Sequence, residues 1–358
     1  MKVVISGYYG YHNIGDEAIL KSIITSLKKE SPNIEIVVLS NDINHTQNTC
    51  NVRAINRWNI IEIYKELKTS NLLISGGGSL LQDATSNRTI KYYVGIMMLA
   101  KLASKPIFVY AQGIGPINNK LNQHMTKYIM NKANQITLRD EESKQLLEQF
   151  GVTNDIKLVP DPVMGYDIGK FKSQKCEIYD KDYITISVRD WNESSIDLYK
   201  KIAYTSDTLI NKGYQVVFIP MHGKRDYEAS QKVCEIMNNK ASIFPYDSTI
   251  EEKIYCIKKS KLIIGMRLHA LIFAANVNTP MIGISYDPKI DSFLKLVNQK
   301  CIGKVDGNWE SDELSNQALK ILDNYIYYSK ELSKESEKLK KHTQNTANMV
   351  INNIKSRG

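Results

Sequence analysis

The chain has 358 residues, 42% of them hydrophobic and 24% charged, which describes a folded globular protein of two ordinary domains and excludes a disordered one. The net charge of +9 favours anionic partners such as phosphate groups, nucleic acid or a membrane surface. No run of basic residues interleaved with stacking aromatics marks a nucleic-acid site, so a phosphorylated substrate is expected rather than nucleic acid. The five cysteines are scattered, with no CxxC pair and no Cys/His cluster at zinc spacing, so no metal is expected.

The opening MKVVISGYYG has too short an apolar run for a signal-peptide core and reads as a first β-strand. No stretch is apolar enough for a transmembrane helix. The expected location is therefore the cytoplasm. Strands are then expected at 34–40, 71–75, 106–112, 135–139 and 156–160, with helical patterns such as DEAILKSIITSLKKE and IKYYVGIMMLAKLAS between them. Near-continuous apolar strands alternating with helices predict a parallel sheet covered on both faces. The rhythm pauses over the polar residues 169–182, read as a linker. It resumes with strands at 183–189, 214–221, 241–246, 261–265 and 280–286. The expected organisation is an N-terminal domain at 1–168, a C-terminal domain at 183–309, and helices over 310–358 able to pack back on the first domain. The fold class is α/β and GT-B-like, with two Rossmann-like domains whose parallel sheets face a central ligand cleft.

In the first half, five loops after strands carry polar residues. GYYGYHNIGDEAIL follows the first strand without GxGxxG spacing, and its tyrosines would crowd a pyrophosphate. Tyr9, Asn13 and Asp16 suit a sugar, while Asn13 or Asp16 equally suits a helix cap over packed tyrosines. In ISGGGSLLQD, three glycines expose backbone N–H groups ahead of an expected helix start, beside Ser79, Gln82 and Asp83. Gly77 and Gly78 would admit an anion or a sugar face; the lysine of a Walker A loop is missing. YAQGIGPI places Gln112 at the same edge, or forms a plain turn. ITLRDEES places Arg139 there, free to meet a ligand or to pair with neighbouring acids. VPDPVM reads as turn chemistry.

In the second half, GMRLHAL sets Arg267, a fixed cationic fork, two residues before His269, a side-chain type able to move a proton near neutral pH. ISYDPKI adds Lys289 just after an Asp287 cap, as a third cation or a solvated helix-start lysine.

Together GYYGYHNIGDEAIL, ISGGGSLLQD, YAQGIGP, ITLRDEES, LVPDP and GMRLHAL, in this order, resemble the polysaccharide pyruvyl transferase family over nearly the whole chain. The resemblance implies a GT-B-like fold and phosphoenolpyruvate as co-substrate, with no cofactor. It implies a pyruvate ketal bridging two hydroxyls of one sugar, on a lipid-linked acceptor containing N-acetylmannosamine that precedes a secondary cell-wall polymer. It maps donor contacts onto Arg139, Arg267, Leu268 and His269, with Lys289 as a further basic position. His269 is the candidate general acid/base, and Arg139 and Arg267 the groups that stabilise carboxylate and departing phosphate. The N-terminal domain then takes the acceptor, and the enzyme works at the inner face of the membrane. A nucleotide-sugar glycosyltransferase of the same fold is the alternative. A non-catalytic sugar- or anion-binding module is a third possibility.

Overall fold

A computed structural model describes residues 1–84, 86–167, 169, 171, 172, 181–191 and 195–357. Two compact units divide the chain: Met1–Tyr166 with Leu339–Gly358, and Asp167–Lys338. Most of the expected linker at 169–182 lies outside the described residues.

In the first unit β1 (Lys2–Ser6), α1 (Ile14–Glu30), β2 (Glu35–Ser40), α2 (Ile43–Cys50), β3 (Arg53–Asn56) and α3 (Ile60–Thr69) come first. Then come β4 (Leu72–Ser75), β5 (Gly78–Leu81), α4 (Asn87–Leu102), β6 (Ile107–Ile114), α5 (Lys120–Met130), β7 (Gln135–Leu138), α6 (Glu141–Gln149), β8 (Ile156–Leu158) and a 3-10 turn at Pro162–Gly165. The strands are all parallel, in the order β3-β2-β1-β4-β6-β7-β8, with β5 alongside β6. Every residue of β4 and β6 is buried, as both faces of a helix-covered sheet require.

The second unit runs β9 (Tyr183–Ser187), α7 (Ser195–Asn211), β10 (Gln215–Phe218), α8 (Gly223–Ile236), β11 (Ser242–Ile243), α9 (Ile250–Lys259) and β12 (Leu262–Gly265). It continues with α10 (Leu268–Asn276), β13 (Met281–Ser285), α11 (Pro288–Leu296), β14 (Lys300–Lys304), α12 (Ser311–Asp323) and α13 (Tyr325–Lys355). Its sheet is also parallel, in the order β11-β10-β9-β12-β13-β14. Of the expected 310–358 tail, α12 and the first part of α13 belong to this unit, and residues from Leu339 to the first.

In both sheets the strand order reverses once, between β1 and β4 and between β9 and β12. Open α/β sheets bind ligands outside the carboxyl ends of the strands at such a reversal. Gly7 and Gly76 leave the first reversal; Arg189 and Arg267 leave the second.

Three strands escaped the sequence pattern. β3 and β14 are edge strands with exposed polar ends, so they lack the long apolar run that signals a central strand. β5 was expected to be a helix start, yet its backbone pairs with β6 at Gly78–Gln112 and Leu81–Ile114.

β6 itself is interrupted. Its register on β7 shifts between Val109 and Gln112, with Ala111 in the left-handed region at φ 47°. Thr137 fills the gap: its Oγ1 accepts from the Ala111 N–H at 2.8 Å and donates to the Val109 carbonyl at 2.8 Å. Bulges of this kind re-aim the residues that follow, here Gln112 and Gly113. Thr137 is fully buried, so Thr137→Val leaves a buried N–H and carbonyl without their partner. It should lower stability by about 2 kcal/mol or more, read by denaturant unfolding; an unchanged midpoint would contradict this role for the hydroxyl.

Candidate active site

The first unit builds its polar centre around Arg139, the residue after β7. Its Nη1 donates to Asp161 Oδ2 at 2.7 Å and its Nη2 to Ser79 Oγ at 3.2 Å, with Asp140 Oδ2 3.8 Å from Nε. The Arg139 and Asp161 side chains are only 7% and 4% exposed. Burial pulls the guanidinium pKa down, and Asp161 and Asp140 more than offset this, leaving it raised. Asp161 also accepts from the Val163 N–H at 3.0 Å, so the turn-like VPDP loop is the clamp that holds Arg139. Asp140 caps α6, accepting from the Ser143 N–H.

The glycine triplet is explained by close approach. A Cβ at Gly76 would lie 2.1 Å from the Tyr9 hydroxyl oxygen, at Gly77 2.8 Å from Ile19 Cγ2, and at Gly78 2.7 Å from Asp16 Oδ1. Gly78 also has φ +91°, a conformation that side-chain-bearing residues rarely adopt. The triplet therefore lets α1 bear on the strand edge and brings Asp16 against the backbone of β5.

The remaining acceptor candidates separate by their surroundings. Tyr9 is fully buried, its ring against Gly7 and Gly76, and acts as packing rather than as a sugar platform. Asn13 caps α1, its Oδ1 accepting from the Gly15 N–H at 3.1 Å. Gln112 is fully buried within β6, and its amide donates to Ser75 Oγ at 2.7 Å and to the Gly76 carbonyl at 2.9 Å. It braces the triplet instead of facing a ligand. Asp83 accepts from the N–H groups of Asn118 and Asn119 and from the Asn122 amide, tying two loops together. Burial pushes its carboxyl up, and these donors outweigh it, so its pKa is lowered. Gln82 is half-buried beside Asp83.

Asp16 is different. It is half-buried in the first turn of α1, within electrostatic reach of Arg139 and Asp161. Burial and the neighbouring Glu17 carboxylate raise its pKa to about 7, against the pull of Arg139. Such a carboxyl can exchange a proton near neutral pH.

No motif marks Arg57, which follows β3 and is 3% exposed. Its Nη1 donates to the Gly7 carbonyl at 2.9 Å, and its Cζ lies 4.3 Å from the Tyr92 ring centroid and 5.2 Å from that of Tyr11. Tyr11 in turn stacks on Tyr8 at 4.1 Å. Arg57 thus fixes the loop after β1 from beneath.

In the second unit Arg267 leaves β12 and stands at the N-cap position of α10. Its Nε donates to Asp226 Oδ2 at 2.9 Å and its Nη2 to Asp226 Oδ1, a two-pronged pair with a carboxylate only 1% exposed. Asp226 Oδ2 also accepts from the N–H groups of Met221 and His222, so the loop after β10 and the loop after β12 share one anchor. Burial lowers the Arg267 pKa, and Asp226 with a hydrogen bond that Arg267 donates to Tyr286 raises it further than that. Leu268 and His269 open α10, where the first N–H groups have no acceptor within the helix. Lys289 is the second residue of α11, directly after the loop that follows the neighbouring strand β13, with its N–H on Asp287 Oδ1 at 3.0 Å. Arg267, Leu268, His269 and Lys289 thus gather at one edge of one sheet. Arg139 belongs to the other unit.

Asp226 and His222 were not visible in the sequence as site residues, since an Asp in a first helical turn is ordinary dipole chemistry. His222 is half-buried; burial first, then the Arg267 charge, lowers its pKa.

The raised carboxyl of Asp16 makes a stability prediction. An unfolded Asp ionises near pH 4, so from about pH 4 to 7 the folded state holds more protons than the unfolded one. Stability therefore falls through that window as pH rises. Asn cannot ionise, so the melting-temperature advantage of Asp16→Asn over the parent should grow from pH 4 to 7 and level off above. A difference independent of pH would contradict the raised pKa.

The family description that matches the chain is "Polysaccharide pyruvyl transferase", over residues 13–288. A curated relative, the amylovoran biosynthesis protein AmsJ of Erwinia amylovora, is 22% identical, with 94% of this chain and 96% of that protein covered. Among solved structures, the S. aureus MnaA–UDP co-structure matches at TM-score 0.69 and 14% identity, covering 99% of this chain and 96% of that one. The UDP-GlcNAc 2-epimerase from Neisseria meningitidis, bound to UDP-GlcNAc, matches at TM-score 0.65 and 11% identity over 99% of this chain and 100% of that one. E. coli ADP-heptose LPS heptosyltransferase II matches at TM-score 0.53 and 13% identity over 91% and 100%. At these identities the structures show the fold, which is of the GT-B type with two Rossmann-like domains. The chain itself belongs to the polysaccharide pyruvyl transferase family, as a transferase that moves a pyruvyl group to a saccharide.

Proposed function

We propose that the donor is phosphoenolpyruvate and that the product is a pyruvate ketal on two hydroxyls of one cell-envelope sugar. The observation that carries this is the Arg267–Asp226 pair beside His269. A guanidinium fixed at the mouth of β12 stands two residues before a histidine on the first turn of α10. The donor carries a carboxylate and a phosphate, and Arg139, Arg267, the Leu268 N–H and Lys289 are assigned to neutralise them.

A proton goes to the methylene carbon C3, which becomes the methyl group, and C2 becomes electrophilic. One sugar hydroxyl adds to C2 and loses its proton. The C2–O bond to phosphate then breaks, the second hydroxyl takes its place, and its proton leaves with inorganic phosphate. His269 is assigned the proton transfer, and Asp16 the neighbourhood of the acceptor hydroxyls. Carboxylate and departing phosphate are stabilised by Arg139 and Arg267.

The acceptor we propose is a lipid-linked saccharide containing N-acetylmannosamine, the precursor of a secondary cell-wall polymer that anchors surface-layer proteins. It would be met at the cytoplasmic face of the plasma membrane. Among the described residues no helix is long and apolar enough to cross a membrane, and a net charge of +9 suits peripheral attachment to anionic lipid.

Acceptor-dependent release of phosphate from phosphoenolpyruvate tests this. His269→Ala should lower turnover by about 100- to 10,000-fold while leaving the melting curve intact. Arg139→Ala and Arg267→Ala should raise the donor concentration needed for half-maximal rate. Activity with a nucleotide sugar in place of phosphoenolpyruvate would replace the proposed reaction with glycosyl transfer.

A further inference from the structure

We propose that Arg189 is an additional ligand for the phosphate of the donor, and that it carries the charge that Arg267 cannot offer uncompensated. This rests on phosphoenolpyruvate being the donor, and adds to that reading a residue outside every motif of the sequence.

Its place is the first reason. Arg189 leaves β9, and β9 is the neighbour of β12 at the strand reversal of the second sheet. The two arginines therefore leave adjacent strand ends where such sheets bind ligands.

Charge balance is the second. Arg267 is held two-pronged by a buried carboxylate, so its net contribution to a ligand is reduced. Arg189 forms no ion pair among the described residues. Its hydrogen bond there runs from Nε to the Asp190 carbonyl oxygen, at 3.4 Å. The carboxylate of Asp190 is engaged elsewhere, by the Tyr199 hydroxyl and by Lys232 Nζ at 3.2 and 3.3 Å. A guanidinium has five N–H donors, so those of its Nη atoms are available to a ligand.

Preorganisation is the third. The Arg189 Cζ lies 4.3 Å from the Tyr286 ring centroid and 5.3 Å from that of Trp191, and these rings are 5.0 Å apart. Aromatic faces hold the guanidinium in place without neutralising it. Tyr286 also hydrogen-bonds Arg267, so one ring joins both cations. His222 sits in the same field, with Arg267, Arg225 and Arg189 all opposing its protonation. A cluster of this charge beside a buried Asp226 takes a dianion better than a monoanion, which selects phosphate over carboxylate.

Isothermal titration of the full chain with phosphoenolpyruvate, and separately with inorganic phosphate, tests the assignment. Arg189→Ala should weaken both by about tenfold or more, the cost of one charge-assisted hydrogen bond, and Arg189→Lys should recover part of it. Melting curves check that both variants fold; if the alanine variant does not, weakening in Arg189→Lys carries the test, because lysine lacks the planar fork. Parent-like binding of both ligands by the folded variants would overturn the role of Arg189 and leave the proposed donor standing. Arg189-dependent binding of phosphate without any binding of phosphoenolpyruvate would do the reverse. A parent chain that binds neither would overturn both.

Discussion

Each of the two candidate site arginines is held by a buried carboxylate. Arg139 is pinned by Asp161 and Arg267 by Asp226, each partner coming from a different loop of the same unit. Removing one member of such a pair strands a charge and costs about 3–5 kcal/mol. The pairs therefore fix the side chains and also lock the loops that supply them. Asp161 belongs to the 3-10 turn after β8, and Asp226 fastens the loop after β10. The positions of these cations are set during folding, so a ligand bound by them would not have to order them at the moment of binding.

Around these anchors the backbone is shaped for close approach. The triple glycine brings α1 against β5, Gln112 braces it through Ser75 and Gly76, and Thr137 supports the bulge that aims Gln112. Several polar residues at the edge thus act as supports that bond the protein's own backbone and side chains. Asp16 differs from them. It stays half-buried with a raised pKa beside Arg139 and Asp161. In the second unit Tyr286 plays the linking part, in contact with both Arg267 and Arg189.

The parallel α/β architecture was legible in the sequence because buried central strands must be continuously apolar, as in KVVIS, NLLIS and KLIIG. The short edge strands β3 and β14 carry no such run, and β5 hides behind glycines that suggest a turn. Of the candidate site, the position of Arg267 and His269 at a strand-to-helix junction was legible, because the apolar run KLIIG ends just before them. What could not be read was which polar residues turn inward. Tyr9, Gln112 and Asp83 have the same chemistry whether they face a sugar or the protein. Only long-range packing decides, as it does for Asp161, Asp226 and Arg189, whose partners lie far away in sequence or emerge only once the sheet is assembled.

The central claim is that this edge chemistry makes a ketal from phosphoenolpyruvate, and mass spectrometry of the product tests it most directly. Incubated with phosphoenolpyruvate and a lipid-linked disaccharide containing N-acetylmannosamine, the enzyme should yield a saccharide carrying one carboxyethylidene group bridging two hydroxyls of a single sugar, with one inorganic phosphate released for each. A product bearing an added sugar, or an enolpyruvyl ether on one hydroxyl only, would contradict the account.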